Sequence, residues 1–244
     1  MKASIIIPCY NAEKWINECV MSALNQTHED VEVIAVDNES TDSTVAMLEE
    51  LQKMHPNLKL DSAPNIYPNC WDEARGKGFE LSTGQYLFTL AADDVLDKDY
   101  VSNCLKFILS APDRIFAFQS PIRNINDLGV TLQSMADMSH SYSSLDEFKS
   151  ATMERCPANS PTVVFNRKLF DDGLLATHPE KYGGAADYDL YCRLADKEVF
   201  IWPGNRWTGY YYRWHEGQAT WNVIKEPTNY DKMIQDYWRE KWKL

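Results

Sequence analysis

Through the first 120 residues, short runs of apolar and β-branched side chains alternate with segments whose apolar residues recur at helical spacing. Residues 4–7 (Ser-Ile-Ile-Ile) form such a run, stopped by Pro8, and residues 14–24 place Trp15, Ile16, Cys19, Val20, Ala23 and Leu24 at helical intervals. Residues 31–36 read as a second strand ending at Asp37-Asn38, and residues 40–43 supply N-cap candidates for a helix to about Met54. A brief strand at 58–60, a helix at 71–81, a strand at 86–90, a helix at 100–109 and a strand at 115–119 follow. Parallel strands need a crossover that a helix supplies, so this alternation predicts an α/β fold with a mainly parallel, Rossmann-like sheet flanked by helices. In such sheets ligands bind beyond the carboxyl ends of the strands. The polar residues collect there: Tyr10-Asn11, Asp37-Asn38 and Asp93-Asp94.

The second half is less regular. Residues 124–144 are polar and turn-rich and read as a loop or lid. Residues 162–165 read as a strand, and residues 187–195 as a helix after the flexible Gly183-Gly184. A tyrosine-rich strand at 208–213 leads into Trp214-His215.

Composition removes several function classes. A net charge of −12 repels nucleic acid and anionic lipid, so a general polyanion binder is excluded. If a ligand is phosphorylated, the chain needs a metal or a few placed cations. The six cysteines are scattered with no C-x-x-C pair, which reads as reduced thiols. The apolar run after Met1 is short for a signal peptide and no segment reaches membrane-spanning length, so the expected location is cytoplasmic.

Residues 86–94 (Tyr-Leu-Phe-Thr-Leu-Ala-Ala-Asp-Asp) are an apolar run ending in two adjacent carboxylates. One acidic residue there would be read as a helix cap. Two like charges at the end of a buried strand call for a positive partner, and a hard divalent cation takes carboxylate oxygens.

Six segments, in order and spacing, resemble the successive motifs of family 2 glycosyltransferases. They are Ser4-Ile-Ile-Ile-Pro-Cys-Tyr-Asn11, Val36-Asp-Asn-Glu-Ser-Thr-Asp42, Ala74-Arg-Gly-Lys-Gly78, Gly84 through Asp94, Gly184-Ala-Ala-Asp-Tyr-Asp-Leu190 and Tyr212-Arg-Trp-His215. The resemblance implies a GT-A fold, a nucleotide-sugar donor, a divalent cation (Mn2+ or Mg2+) and inverting transfer to an acceptor hydroxyl in glycan or polysaccharide biosynthesis. On this reading residues 1–225 are one domain, with a nucleotide-binding half at 1–120 and an acceptor half at 121–225. Asp37 would bond the base, typically uracil, with Pro8, Tyr10 and Asn11 lining base and ribose. Arg75 and Arg213 would meet the diphosphate. Asp93, Asp94 and His215 would hold the metal, Asp94 most directly, with Asp93 also near the donor ribose. Asp187 would be the general base, because a single displacement needs a base on the acceptor side. Asp189, two residues on, points elsewhere on a helix.

Four positions depart from the family pattern: Asn38, Gly76, Ala91 in place of the first aspartate of the acidic motif, and Ala186 in place of the glutamate before the base. These departures keep open an inactive nucleotide-sugar or glycan-binding module. A nucleotidyltransferase would need a Gly-rich basic first loop, which Pro8-Cys9-Tyr10-Asn11 is not. Trp202, Trp207, Trp214 and Trp221 are core residues or a sugar-stacking platform. Residues 226–244 read as an amphipathic aromatic helix. It would dock on the domain or a second subunit, or rest on a membrane carrying a lipid-linked acceptor.

Overall fold

A computed structural model of the chain describes residues 1–67, 70–133, 135, 137–204 and 206–244. The strands are β1 (Ala3–Cys9), β2 (Val31–Asp37), β3 (Leu58–Ser62), β4 (Tyr86–Thr89), β5 (Val95–Leu96), β6 (Ala117–Gln119), β7 (Ile122–Ile125), β8 (Val164–Asn166), β9 (Ile201–Pro203) and β10 (Tyr210–Arg213). The helices are α1 (Ile16–Leu24), α2 (Thr44–Met54), α3 (Asp72–Leu81), α4 (Tyr100–Ile108), α5 (Leu145–Ala151), α6 (Arg167–Asp171), α7 (Pro179–Tyr182), α8 (Ala186–Asp196), α9 (Ala219–Lys225) and α10 (Tyr230–Trp242).

Seven strands form one sheet in the order β3-β2-β1-β4-β8-β6-β9. The first four are parallel, as strand–helix alternation requires. β8 breaks the pattern by running antiparallel to both β4 and β6, and β9 returns parallel to β6. β1 and β2 are buried along nearly their whole length, which explains why they read as continuous apolar runs rather than alternating ones. Pro8 does not stop β1. It pairs with Val36 of β2, beyond the last registered β1–β4 pair, Ile6–Thr89, so its missing N–H breaks no β4 ladder bond.

At the opposite end of the strands, Gly84 is needed for close approach. A Cβ there would fall on the Ser4 hydroxyl and lie 2.7 Å from the Ser4 amide nitrogen. Its N–H instead donates to Ser4 Oγ at 2.9 Å and to Glu32 Oε1 at 3.1 Å. Glu32 also takes Lys59 at 2.7 Å and Lys2 at 3.1 Å. Burial pushes its carboxyl up, but the bonds from Lys59, Ser4, Thr83 and Lys2 outweigh it and hold the group far below the usual carboxylate range.

A second, three-stranded sheet, β5-β10-β7, includes two segments that differ from expectation. β7 begins before the polar stretch at 124–144 and runs into it. Its partner β10 comes from the far end of the chain and carries Tyr210 and Arg213 to the turn after β4. α5 lies just after that stretch and is capped by Ser144, whose side chain accepts from the Glu147 N–H.

The tail helix docks on its own chain. Ile234 and Trp238 of α10 are buried with Tyr182, Ala186, Tyr188 and Cys192, and the indole N–H of Trp238 donates to Asp189 of α8 at 3.0 Å. Trp242 and Lys241 both bond Asp196. Of the alternatives for this apolar stripe (its own domain, a second subunit or a membrane), these contacts spend most of it on the domain; Met233 and Tyr237 remain exposed. Among the described residues no helix is long and apolar enough to cross a membrane.

Candidate active site

The loops after β1 and β2 are stitched together. Asn11 has a left-handed backbone (φ 48°), a conformation asparagine tolerates better than most residues. Its N–H donates to Ser40 Oγ at 2.9 Å, and its Oδ1 accepts the Thr41 N–H at 2.8 Å. Asp37, at the last position of β2, accepts the Ser40 N–H at 3.1 Å and stays partly open to solvent. Pro8 is buried in β1, whereas Tyr10 is 54% exposed beside these strand ends. Four residues expected around a nucleotide (Pro8, Tyr10, Asn11 and Asp37) therefore lie along one edge of the sheet.

The acidic pair sits in a tight turn closed by the Asp94 N–H on the Ala91 carbonyl at 3.0 Å. The two carboxylates part company. Asp94 is fully buried; its Oδ2 accepts the Tyr210 hydroxyl at 2.9 Å and its Oδ1 accepts the Arg213 main-chain N–H at 2.8 Å. Burial and the Asp93 charge push its carboxyl well above the usual range, against the pull of those bonds. The Asp93 side chain is 25% exposed, and its Oδ2 lies 2.8 Å from His215 Nε2. The expectation that Asp94 is the direct metal ligand is therefore corrected: Asp94 anchors the turn, and Asp93 is the carboxylate offered to the cleft.

His215 rests on Trp15, with ring centroids 4.1 Å apart. Its Nδ1 accepts the Gly217 N–H at 3.2 Å, which assigns the ring proton to Nε2, facing Asp93. Among the described residues no group of three or more His, Cys, Asp or Glu side chains could by itself hold a metal ion. Asp93 and His215 do offer a hard oxygen and an imidazole nitrogen side by side. This suits a cation such as Mn2+ or Mg2+ bound through few protein ligands, with substrate phosphates completing its shell.

Arg213 is also corrected. Its guanidinium is 1% exposed and faces inward: Nε donates to the Asp93 carbonyl at 2.6 Å, Nη1 to the Asp127 carbonyl at 3.1 Å, and Nη2 to Glu18 at 2.7 Å. It holds the main chain behind Asp93 rather than reaching for a diphosphate. Gln218 donates to its carbonyl, and Trp221, 37% exposed, donates to the His215 carbonyl at 3.1 Å. Trp214 stacks near Trp221, while Trp202 and Trp207 pack on Arg114 and Tyr100. Of the four tryptophans, two border His215 and two serve packing.

Asp187 lies in the first turn of α8, directly after the Gly183–Ala185 turn, among a separate set of neighbours from those of Asp93 and His215. Its surface is partly open, yet the groups around it crowd the carboxyl. Burial raises it first, the Asp72 charge adds to that, and hydrogen bonding from Ser160 and the Arg75 charge oppose. Arg75 is the third correction. It is 2% exposed, its Nη2 donates to Asp72 at 2.7 Å, and its guanidinium lies between the Trp71 and Phe79 rings. It belongs to the surroundings of Asp187 rather than standing as a free cation. Asp189 turns away to Arg193 at 2.8 Å and to Trp238. Ala186 is fully buried under Ile234 and Trp238, so a glutamate there would be entombed beneath α10.

Trp15, Glu18, Asp72, Ser160, Tyr191 and Tyr210 all touch this machinery and were not singled out from the sequence. Trp15 and Glu18 looked like ordinary residues of an amphipathic helix. Asp72 three residues before Arg75 was the one readable signal, an i,i+3 pair.

Residues 4–177 match the family model described as Glycosyl transferase family 2. An uncharacterized glycosyltransferase of Rickettsia conorii is 31% identical over 196 residues, 80% of this chain and 30% of that protein. The chondroitin synthase of Pasteurella multocida is 30% identical over 203 residues, 81% of this chain and 19% of that protein. The chain thus spans less than a third of the length of either relative. Among solved structures, S. aureus TarS 1-349 in complex with UDP-GlcNAc superposes with a TM-score of 0.71 at 20% identity, covering 100% of this chain and 72% of that one. The mannosyltransferase PcManGT from Pyrobaculum calidifontis, in complex with GDP-Man and Mn2+, gives a TM-score of 0.64 at 16% identity, covering 96% and 68%. With its mostly parallel central sheet, its family-model match across most of its length and these relatives, the chain is a member of glycosyl transferase family 2 with the GT-A fold.

Proposed function

We propose that the protein is an inverting, metal-dependent glycosyltransferase that moves a sugar from a nucleotide-sugar donor, a UDP-sugar, to a hydroxyl of a glycan or lipid-linked acceptor. The observation that carries this reading is the meeting of Asp93 and His215 beside the strand ends that bear Tyr10, Asn11 and Asp37, in a chain of this family. Asp37, Tyr10 and Asn11 bind the nucleoside end of the donor. Asp93, with His215, holds the cation; when bound, that cation neutralises the charge that develops on the departing diphosphate. His215 would have to yield its Nε2 proton to join the ligands. Asp187 accepts the proton of the acceptor hydroxyl as its oxygen attacks the anomeric carbon and the bond to the diphosphate breaks. Met233 and Tyr237, exposed on α10, are the residues through which a membrane or a second copy would be met.

A thermal-shift panel of UDP-, GDP-, CMP- and dTDP-sugars with and without Mn2+ tests the donor. Selective stabilisation by UDP species with metal is expected, and equal shifts for all nucleotides would sink the role of Asp37. Donor turnover should vanish in Asp187→Ala. Nucleotide-sugar binding with no turnover of any donor would instead make the chain a binding module of the same fold.

A further inference from the structure

Tyr191 lies one turn after Asp187 on α8, so the two side chains share a helix face, and a helical side chain leans toward the N-terminal turn. The Tyr191 ring is fully buried, and its phenolic oxygen has no hydrogen-bond partner among the described residues. A buried hydroxyl without a partner costs on the order of 1–3 kcal/mol, so packing alone would favour phenylalanine. The hydroxyl lies within electrostatic reach of Asp187, Cys156 and Arg75, with the Ser160 side chain close by. Arg75 cannot accept a hydrogen bond, and Asp72 already takes Arg75 on Oδ1. Asp187 is the charged acceptor on the same helix face.

We propose that Tyr191 is a positioning residue for Asp187: its O–H turns to the ionised carboxylate and orients the free oxygen toward the acceptor hydroxyl. Tyr191 keeps its own proton throughout; only the acceptor proton moves, to Asp187. The bond favours the charged carboxylate and so offsets the burial that works against it. The groups facing Asp187 are Asp72 and Arg75 from α3, Ser160, Tyr191, and the thiols of Cys70 and Cys156. Of these, Tyr191 alone is a fully buried O–H that makes no hydrogen bond of good geometry, Ser160 being its one neighbouring hydroxyl among them.

The inference rests on the reading of Asp187 as the base, and the test separates the two. The Asp187 carboxyl is followed by 13C NMR titration in the wild type and in Tyr191→Phe, with Asp187→Asn identifying the resonance. The midpoint should rise by about one pH unit in Tyr191→Phe, the loss of one hydrogen bond to the charged form. At pH 7 the melting temperature should fall modestly, and it should converge with the wild type below the Asp187 midpoint, since the lost bond is made only to the ionised carboxylate. With UDP-GlcNAc and Mn2+ as probe, the acid limb of kcat for donor hydrolysis should move up by the same amount with KM unchanged. An unchanged Asp187 midpoint in Tyr191→Phe overturns the proposal. Full turnover in Asp187→Asn would overturn the base assignment while leaving the titration result standing.

Discussion

Replacing Arg213 with methionine removes a buried cation whose Nε and Nη1 hold the carbonyls of Asp93 at 2.6 Å, Asp127 at 3.1 Å and Asn126 at 3.3 Å. The fourth bond, to Glu18, matters less to stability. That carboxylate is 55% exposed and water replaces the guanidinium, so the pair contributes about 1 kcal/mol at most. Each carbonyl that loses a charge-assisted donor gives up roughly 1.5–3 kcal/mol. The three losses share one cation, the Asn126 contact is long, and the methionine recovers apolar packing. The net destabilisation expected is therefore about 3–5 kcal/mol, the range found when a buried pair is broken. For a chain of this size that corresponds to a drop in Tm of roughly 6–20 °C. Urea denaturation followed by circular dichroism measures it, and Glu18→Gln should cost under about 1 kcal/mol in the same assay. Arg213→Lys should fall between, because one ammonium cannot span the carbonyls and Glu18 together. If Arg213 instead served the diphosphate, Arg213→Met would keep its stability within about 1 kcal/mol and lose at least about tenfold in UDP affinity, about 1.4 kcal/mol. That outcome would refute the inward reading.

Three further predictions concern separate parts of the molecule. Asp93→Asn should abolish the extra thermal stabilisation that Mn2+ adds to UDP while leaving the melting temperature of the free protein nearly unchanged; an intact Mn2+ increment would remove Asp93 from the metal site. Gly84→Ala forces a methyl group against the Ser4 main chain, a backbone clash expected to cost about 2–3 kcal/mol in urea denaturation; a loss below about 0.5 kcal/mol would mean that the strand ends yield freely. Glu32 has a lowered carboxyl, so its contribution is fully present above the unfolded value near 4.5 and fades as pH falls below it. Glu32→Gln should therefore lose stability at pH 7 yet converge with the wild type in the acid range, and a pH-independent difference would contradict that origin.

The parallel part of the sheet was legible because β1 and β2 are long and buried, β4 is a short run buried throughout, and helices with clear apolar spacing separate them. β5 and β9 were not: two or three residues carry no period to detect. The partners of β7 and β10 lie far off in sequence, so only tertiary pairing reveals that sheet. Among the candidate site residues, type and order placed them near the strand ends, but orientation did not follow from them. Continued two-residue alternation along a strand would put Arg213 and His215 on one face. β10 ends at Arg213, so the two-residue period stops before His215, and the two side chains part. Asp93 and Asp94 are adjacent and chemically identical, and it is donors from β10, the Tyr210 hydroxyl 116 positions away and the Arg213 N–H, that hold Asp94 as the buried one. Arg75 shows the same limit: its sequence context suggests a free cation, whereas Asp72 and the aromatic rings on α3 enclose it.

The bonds that build the Asp93–His215 corner join distant parts of the chain. Asp93 and His215 are 122 positions apart, and Arg213 and Glu18 are 195 apart. Strands β1 to β4 can pair as soon as the first 90 or so residues are available, but Asp94 gains its hydroxyl and amide donors only when β10 arrives. During synthesis, the strand ends that bear Tyr10, Asn11 and Asp37 should therefore be formed while the acidic turn is still open to water. A chain halted before Tyr210 should retain the β1–β4 sheet yet lack the corner in which Asp93 meets His215. Closing that corner is a late, long-range event in folding, and competence for transfer should appear abruptly rather than grow with chain length.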